Sequence, residues 1–400
     1  MTLAGISLAY LRARNLSTLL NIVLLGFGVA AITLLVLTAA QLEDRMHVDA
    51  RGIDLVVGSK GSALQIILSS VYQLDVPTGA FGWTQAQQIA SRPEVKQALP
   101  IVIQDNYLGF RVIGTTHDYI SHYGGRLRDG ALWSGPLQAV IGDEVAARTG
   151  MRVGWSLTVN HGPGHQTALA HNENPFTVVG VLWPTGTVLD HLILTDVGSI
   201  WQLHENMKTD NLVAEPRVDG GRELSALLIR YATPLAGATL PRAINAFPEL
   251  QAASPTLETA RLFGVMVVGM RVLRGFAIVL VIAAGLSVFI GLYTALNERR
   301  YDLAIMRALG ASPGQLMLLL LFEGVLMAAV GAAFGILLGH ILTSLLGFAL
   351  RFQQVGITGW IWNPNELWIV AGALVVGMLA ALLPAWRAHE TDIARVLARG

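Results

Sequence analysis

Four stretches of this 400-residue chain are long, apolar and almost free of charge. Leu16 to Ala40, Gly275 to Leu296 and Leu367 to Trp386 carry no charged residue, and Leu316 to Leu350 carries only Glu323 and His340. Each reaches the roughly 20 residues a helix needs to cross about 30 Å of hydrocarbon. One such run could be a buried core helix; four of this length read as membrane spans. Composition agrees, because 53% of the residues are hydrophobic and only 14% charged, whereas soluble domains carry roughly a quarter charged residues. An ordinary soluble enzyme and a disordered chain are both excluded. The chain has no cysteine, which removes disulfide scaffolds, zinc–thiolate sites and cysteine nucleophiles. Its 27 Lys and Arg match 27 Asp and Glu, so charge gives no support to a nucleic-acid partner.

The first run is too long for the roughly 7–15-residue apolar region of a cleaved signal peptide, so it reads as an uncleaved anchor. Short-loop Lys and Arg counts set orientation. Arg12 and Arg14 precede span one, Arg299, Arg300 and Arg307 lie between spans two and three, and Arg387, Arg395 and Arg399 follow span four. Only Arg351 lies between spans three and four. This places both termini and the 297–315 loop in the cytoplasm, with Arg271 and Arg274 as a small exception. The segment 41–270 then lies outside, and it is large enough for its own core. It holds 16 Lys and Arg against 21 Asp and Glu, while the remainder holds 11 against 6. Neutrality is thus a cancellation between a mildly acidic outer domain and a basic-edged membrane unit.

The outer segment reads as mixed α and β. Strand-like runs are Ile53 to Val57, Ala98 to Ile103, Phe110 to Gly114, Ala139 to Ile141, Ser156 to Val159, Phe176 to Leu182, His191 to Thr195 and Ala226 to Arg230, separated by Gly, Pro and Asn. Ser62 to Leu74 reads as a helix, and another opens at Thr84 with Gln87 closing a capping box. Ser254-Pro255 reads as an N-cap and first helical residue, starting a stalk that continues into span two. The fold class expected is therefore an α-helical membrane protein with four transmembrane helices plus a large α+β extracytoplasmic domain inserted between helices one and two. The parts are 1–40, 41–270 and 271–400.

The stretch Asn297 to Pro313 says most about mechanism. Gly310 suits the left-handed stop of a short helix. Ser312-Pro313-Gly314-Gln315 then reads as N-cap, N1, N2 and N3 of span three, with a capping box. Leu303, Met306 and Leu309 recur at helical spacing with Ala304 and Ala308 alongside, flanked by Arg299, Arg300, Asp302 and Arg307. An amphipathic helix tied to two spans either transmits a push or lies on lipid headgroups, and the residues alone leave both open.

Glu298 to Ser312 resembles the coupling-helix signature of ABC transporter permeases of the MacB/FtsX type. Val140 to Ala147 with Gly150 to Gly154, the strand Phe176 to Leu182, and Leu383-Pro-Ala-Trp-Arg-Ala388 resemble further family patterns. The resemblance covers nearly the whole chain, and the coupling segment is its specific part. It implies a non-enzymatic permease subunit that pairs with a second permease copy or paralogue. It also implies an ABC ATPase subunit that carries the ATP and Mg. Within the coupling helix 297–311, Arg299 to Gly310 would seat in the ATPase, with Glu298 and Arg300 as polar contacts and the Leu303, Met306 and Leu309 face needed for coupling. A bacterial inner-membrane location with a periplasmic domain follows, and so does mechanotransmission: ATP turnover moves that domain. A periplasmic adaptor, a lipoprotein or a substrate-binding protein are the further partners it suggests. Efflux and lipoprotein extraction suit the large outer domain better than FtsX-like control of a cell-wall hydrolase. A membrane receptor or scaffold is the reading from a different class. The chain contains no G-x-x-x-x-G-K-[ST] phosphate loop. The nearest string, Gly58-Ser-Lys-Gly-Ser62, reads as a strand-to-helix turn.

Within the spans, Gly331, Gly335 and Gly339 fall on one helix face and admit close approach of another helix, either in a dimer seam or within the chain. Glu323 lies about two turns into span three and reads as an interhelical polar contact to the coupling segment. His340 reads as packed against a polar neighbour. Eight of the ten histidines lie in 41–270. His161, His165 and His171 are the metal-ligand candidates, set against the plainer reading of a polar loop.

Overall fold

The computed structural model describes residues 5, 7, 10, 12, 15–161, 175–206, 222–350 and 356–389. In chain order these form α1 (Asn15–Asp49), β1 (Leu55–Ser59), α2 (Ala63–Ser70), β2 (Phe81–Gly82), α3 (Trp83–Ala90), β3 (Val95–Tyr107), β4 (Phe110–Thr115), α4 (His117–His122) and β5 (Leu127–Gly130). There follow β6 (Gln138–Ile141), α5 (Asp143–Thr149), β7 (Ser156–Leu157), β8 (Asn160–His161), β9 (Phe176–Leu182), a 3₁₀ turn (Val188–His191), β10 (Leu192–Asp196) and α6 (Val197–Asn206). The rest comprises β11 (Glu223–Leu224), β12 (Ala226–Tyr231), α7 (Ala236–Asn245), β13 (Leu250–Ala253), α8 (Pro255–Glu298), α9 (Arg300–Ala308), α10 (Pro313–Ala349) and α11 (Glu366–His389). The chain divides into two compact units, an α+β domain at 43–265 and a helical unit built from the chain on either side of it.

In the α+β domain the strands run in the order β13-β1-β12-β3-β4-β10-β6-β9-β5. Neighbours are antiparallel except β4 with β10 and β6 with β9. β3 is shared between the two halves of this sheet: its first half pairs β12 and its second half pairs β4. The register shifts between Ile103 and Asp105, a bulge that bends the strand where the sheet turns. β10 and β12 are buried in unbroken runs, the mark of strands covered on both faces. Val57, Val112, Ile141, Ile193 and Ile229 meet Ile89 of α3, Val145 of α5, Ile200 of α6 and Ile244 of α7 in one core.

Local signals placed most elements. Ser62 caps α2 by accepting from the Gln65 amide. α8 starts at Pro255, as the Ser-Pro pair predicts, and continues unbroken for 44 residues. The expected cap at Thr84 is corrected: α3 begins at Trp83, its N-cap is Gly82, and no side chain caps it. Phe81 and Gly82 pair with Leu224 and Glu223, and the Trp83 amide donates to the Arg222 carbonyl at 2.9 Å. That long-range pairing holds the chain extended up to Gly82 and overrides the local box.

Four helices, α1, α8, α10 and α11, are long and apolar enough to cross a membrane. The glycine stripe is an intramolecular contact. A Cβ at 335 would lie 2.5 Å from Val29 Cβ and 2.6 Å from the Gly26 carbonyl, and one at 339 would lie 2.7 Å from Thr33 Cβ. A Cβ at 331 would meet Leu25 at 3.0 Å. All three glycines therefore face α1. A second small-residue seam, not apparent from the sequence, joins α10 to α11: a Cβ at 324 would lie 2.5 Å from Ala381 Cβ and 2.9 Å from the Gly377 carbonyl.

Gly335→Val forces backbones apart and should lower stability by about 1–3 kcal/mol, read as a lower Tm of the detergent-solubilised protein. Gly269→Ala, where nothing lies within 4 Å of the added carbon, should leave Tm unchanged or raise it. In the α+β domain, burial first and the Arg45 charge next hold the His191 imidazole down to about 4, below its ordinary 6.5. Its Nδ1 has no hydrogen-bond partner among the described residues. The folded state thus binds fewer protons, so the stability is fully present above pH 6.5 and is lost as pH falls toward 4. His191→Gln should flatten the dependence of Tm on pH across that window.

Candidate functional site

The junction between α8 and α10 carries the geometry the sequence singles out. α8 ends at Glu298, and α9 starts at Arg300. Between them Arg299 sits at φ −101°, ψ 12°. Its amide still donates to the Ala295 carbonyl, and its own carbonyl accepts from the Leu303 amide, both at 3.0 Å. The junction is a kink rather than a loop. At the other end, the Gly310 amide donates to the Arg307 carbonyl and the Ala311 amide to the Met306 carbonyl, both at 3.0 Å. With Gly310 at φ +102°, this closes a complete Schellman motif. Two residues later the capping box forms: the Ser312 amide donates to Gln315 Oε1 at 2.8 Å, and the Gln315 amide donates to Ser312 Oγ at 3.3 Å. Pro313 follows at the first helical position. α9 is therefore fastened at both ends with almost no slack.

α9 has two apolar stripes. Leu303 (2% exposed) and Ala304 are buried. Leu303 packs with Leu296, Leu316, Leu320, Ala385 and Ala388, and Met306 is partly buried against the same cluster. Tyr301, Ile305 and Leu309 recur every four residues on the outer side and are 52%, 39% and 83% exposed. Leu303 and Met306, singled out from the sequence for coupling, thus face neighbouring helices of this chain. They fasten α9 to its own helices, and the outward stripe is Tyr301, Ile305 and Leu309, with Asp302 also exposed. Both stripes satisfy helical spacing, so periodicity alone could not say which one turns inward. Glu298 is exposed at the end of α8, Arg307 is half-buried, and Arg300 occupies the first turn of α9.

Arg299 also has partners within this chain. Its side chain is 13% exposed and that of Glu323 is 2% exposed, with Nη1 to Oε1 at 3.3 Å. Nη2 donates to the Tyr10 carbonyl at 3.3 Å, and the guanidinium carbon lies 3.8 Å from the centre of the Tyr10 ring. One guanidinium thus joins the N-terminal segment, the kink and α10. Burial, aided by the Asp302 carboxylate, pushes the Tyr10 phenol above its ordinary value, and the face of the ring attracts the guanidinium through its quadrupole. The reading of Glu323 as a polar contact to the coupling segment holds, with Arg299 as its partner. Tyr10 had no sequence signal, because nothing local links it to a residue 289 positions away.

Other polar groups resolve into structural roles. His340 bonds the Gly359 carbonyl and, at 2.9 Å, Glu366 Oε2, pinning the connection between α10 and α11. His117 bonds the Trp133 carbonyl and His122 the Arg51 carbonyl, so these two rings serve separate places. His161 belongs to β8, whose backbone pairs with Asp105, while His165 and His171 lie outside the described residues. No group of three or more potential metal ligands occurs among the described residues.

The far ends of α1 and α8 are fastened within the α+β domain. Asp49 Oδ1 accepts from the Val188 amide at 2.8 Å, and its carbonyl accepts from the Tyr123 hydroxyl at 2.9 Å. The Tyr72 and Thr259 hydroxyls share a hydrogen bond of 2.6 Å.

The MacB-like periplasmic core domain family matches residues 18–234, and the FtsX-like permease C-terminal family matches residues 274–393. The macrolide export ATP-binding/permease protein MacB of Escherichia coli (strain K12) is 22% identical over 423 aligned positions, covering all of this chain and 60% of that protein. The lipoprotein-releasing system transmembrane protein LolC of Xylella fastidiosa is 28% identical over 158 residues, 36% of this chain and 38% of that protein. The crystal structure of the periplasmic region of MacB from Actinobacillus actinomycetemcomitans aligns with a TM-score of 0.35 at 10% identity, over 54% of this chain and 95% of that one. The chain spans 60% or less of the length of these curated relatives. With the first match covering more than half of its length and the second its last three helices, the chain belongs to the MacB/FtsX-like family of ABC transporter permeases.

Proposed function

We propose that this chain is the permease of an ABC transporter that turns ATP hydrolysis on an associated ATPase subunit into movement of its α+β domain, driving export or extraction of a substrate. The observation that carries this reading is the outward stripe Tyr301, Ile305 and Leu309 on a helix whose other face and both ends are fastened. An exposed apolar stripe on a rigid helix suits insertion into a groove. In this reading the stripe seats in the ATPase, with Glu298 and Arg300 as flanking polar contacts. The Arg299–Glu323 pair passes displacement of α9 to α10, while α8 carries it away as one continuous helix. In this reading ATP and Mg reside on the ATPase.

The same reading puts the protein in a bacterial inner membrane with both termini and α9 cytoplasmic and the α+β domain periplasmic. The permease works as a dimer, with an adaptor, a lipoprotein or a substrate-binding protein as its periplasmic partner. Relatives named for macrolide export and for lipoprotein release favour export or extraction over control of a hydrolase.

Ile305→Asp and Leu309→Asp should leave membrane insertion intact yet reduce ATPase co-purification by about tenfold or more, as loss of an interface anchor does. ATPase retained in full by both variants would instead support the lipid-lying receptor reading. Leu303→Asp should fail earlier, by lowering the yield of folded protein. Removing one member of a buried ion pair costs about 3–5 kcal/mol, so Glu323→Ala should lower Tm and uncouple ATP turnover. The double change Arg299→Met with Glu323→Met should recover much of the Tm but not the coupling.

A further inference from the structure

A cleft of about 600 Å³ opens in the α+β domain just beyond the end of α1. Arg51, Gln97, Ser121, His122, Thr187 and Arg230 supply its polar lining, and no carboxylate lines it among the described residues. Arg230 of β12 and Gln97 of β3 are register partners, so their side chains stand next to each other on one face of the sheet. Arg51 belongs to the turn that follows α1. Gly52 makes that turn at φ +76°, where a Cβ would lie 3.0 Å from the His122 ring. The His122 Nε2–H donates to the Arg51 carbonyl at 3.0 Å, which fixes the imidazole in the wall.

Among the described residues the arginines of this cleft, Arg51 and Arg230, have no ion-pair partner. The acids on the same stretch of chain are engaged elsewhere: Asp49 accepts from the Val188 amide and Asp54 from the Tyr231 amide, at 2.8 and 2.7 Å. Burial holds the His122 imidazole below its ordinary value, and the Arg230 charge adds to this, as expected where cations face one another without an anion. Two guanidinium forks with hydroxyl and amide donors around them match the oxygens of a phosphate. The volume lies within the roughly 300–1,000 Å³ of small-molecule sites, which leaves room for a substituent beyond the phosphate itself.

We propose that this cleft is a binding site for a phosphate-bearing anion, the chemistry shared by an anionic phospholipid headgroup and free phosphate. The site is independent of the transport reading, because it uses no residue of α9 or of the Arg299–Glu323 pair.

The test is calorimetric titration of the full chain in non-ionic detergent with three probes: inorganic phosphate, short-chain phosphatidylglycerol and diacylglycerol of the same chain length. Binding of phosphatidylglycerol that phosphate does not displace would identify a lipid headgroup as the source. Binding of phosphate that displaces the lipid would identify the free anion. In either case Arg51→Gln with Arg230→Gln should weaken binding at least about tenfold, with the His122 bond to the Arg51 carbonyl retained because it involves backbone. Gln97→Glu should weaken it similarly by setting a carboxylate beside Arg230, and it decides the matter if the double variant fails to fold. The proposal is overturned if neither phosphate nor phosphatidylglycerol binds, if diacylglycerol binds equally well, or if Gln97→Glu with an unchanged Tm binds as the wild type does.

Discussion

Hydrocarbon offers a peptide backbone no water, so a segment that crosses it must satisfy its own amides as a helix. Crossing takes about 20 residues, yet α1 has 35 and α8 has 44. At 1.5 Å per residue these measure about 50 and 65 Å, well beyond the width of the apolar layer. The surplus carries charge: Glu43, Asp44 and Arg45 near the end of α1, and Glu258 and Arg261 near the start of α8. A charged, water-exposed extension has no intrinsic reason to remain helical. These two end in hydrogen bonds within the α+β domain, through Asp49 and Thr259.

At the opposite end of α8 the governing fact is a buried guanidinium. A charge removed from water needs a partner and hydrogen bonds to remain ionised at acceptable cost. Arg299 finds Glu323 on α10 together with the carbonyl and ring of Tyr10. This turns the kink between α8 and α9 into a three-way joint. The Schellman stop at Gly310 and the capping box at Ser312 close the other end of α9. A helix fastened this way, with Leu303 turned inward and Leu309 outward, is held at both ends and along one face.

Features decided by adjacent residues were legible in the sequence, and those decided across the chain were not. Gly310 and Ser312-Pro313-Gly314-Gln315 set a helix stop and start through bonds that span six residues or fewer. The same local logic failed at Thr84, where β11, 140 residues downstream, holds Phe81 and Gly82 extended. Periodicity revealed that α9 is amphipathic but not that Leu303 and Ala304 face inward while Tyr301 and Ile305 face out. The inward face is set by Leu316, Leu320 and Ala385 on two other helices. The glycine spacing in α10 announced a close contact, yet its partner, α1, lies some 300 residues earlier in the chain.

By itself, then, the sequence determined the number of spans, the α+β insertion between the first two, and the caps that isolate α9. Each follows from apolar run length or from backbone bonds between near neighbours. Tertiary structure alone decided that Arg299 pairs with Glu323 and Tyr10, that the glycines join α10 to α1, and that Arg51 and Arg230 share one cleft. These depend on desolvation and packing between residues far apart in the chain, and a one-dimensional pattern does not encode which distant surface will exclude the water.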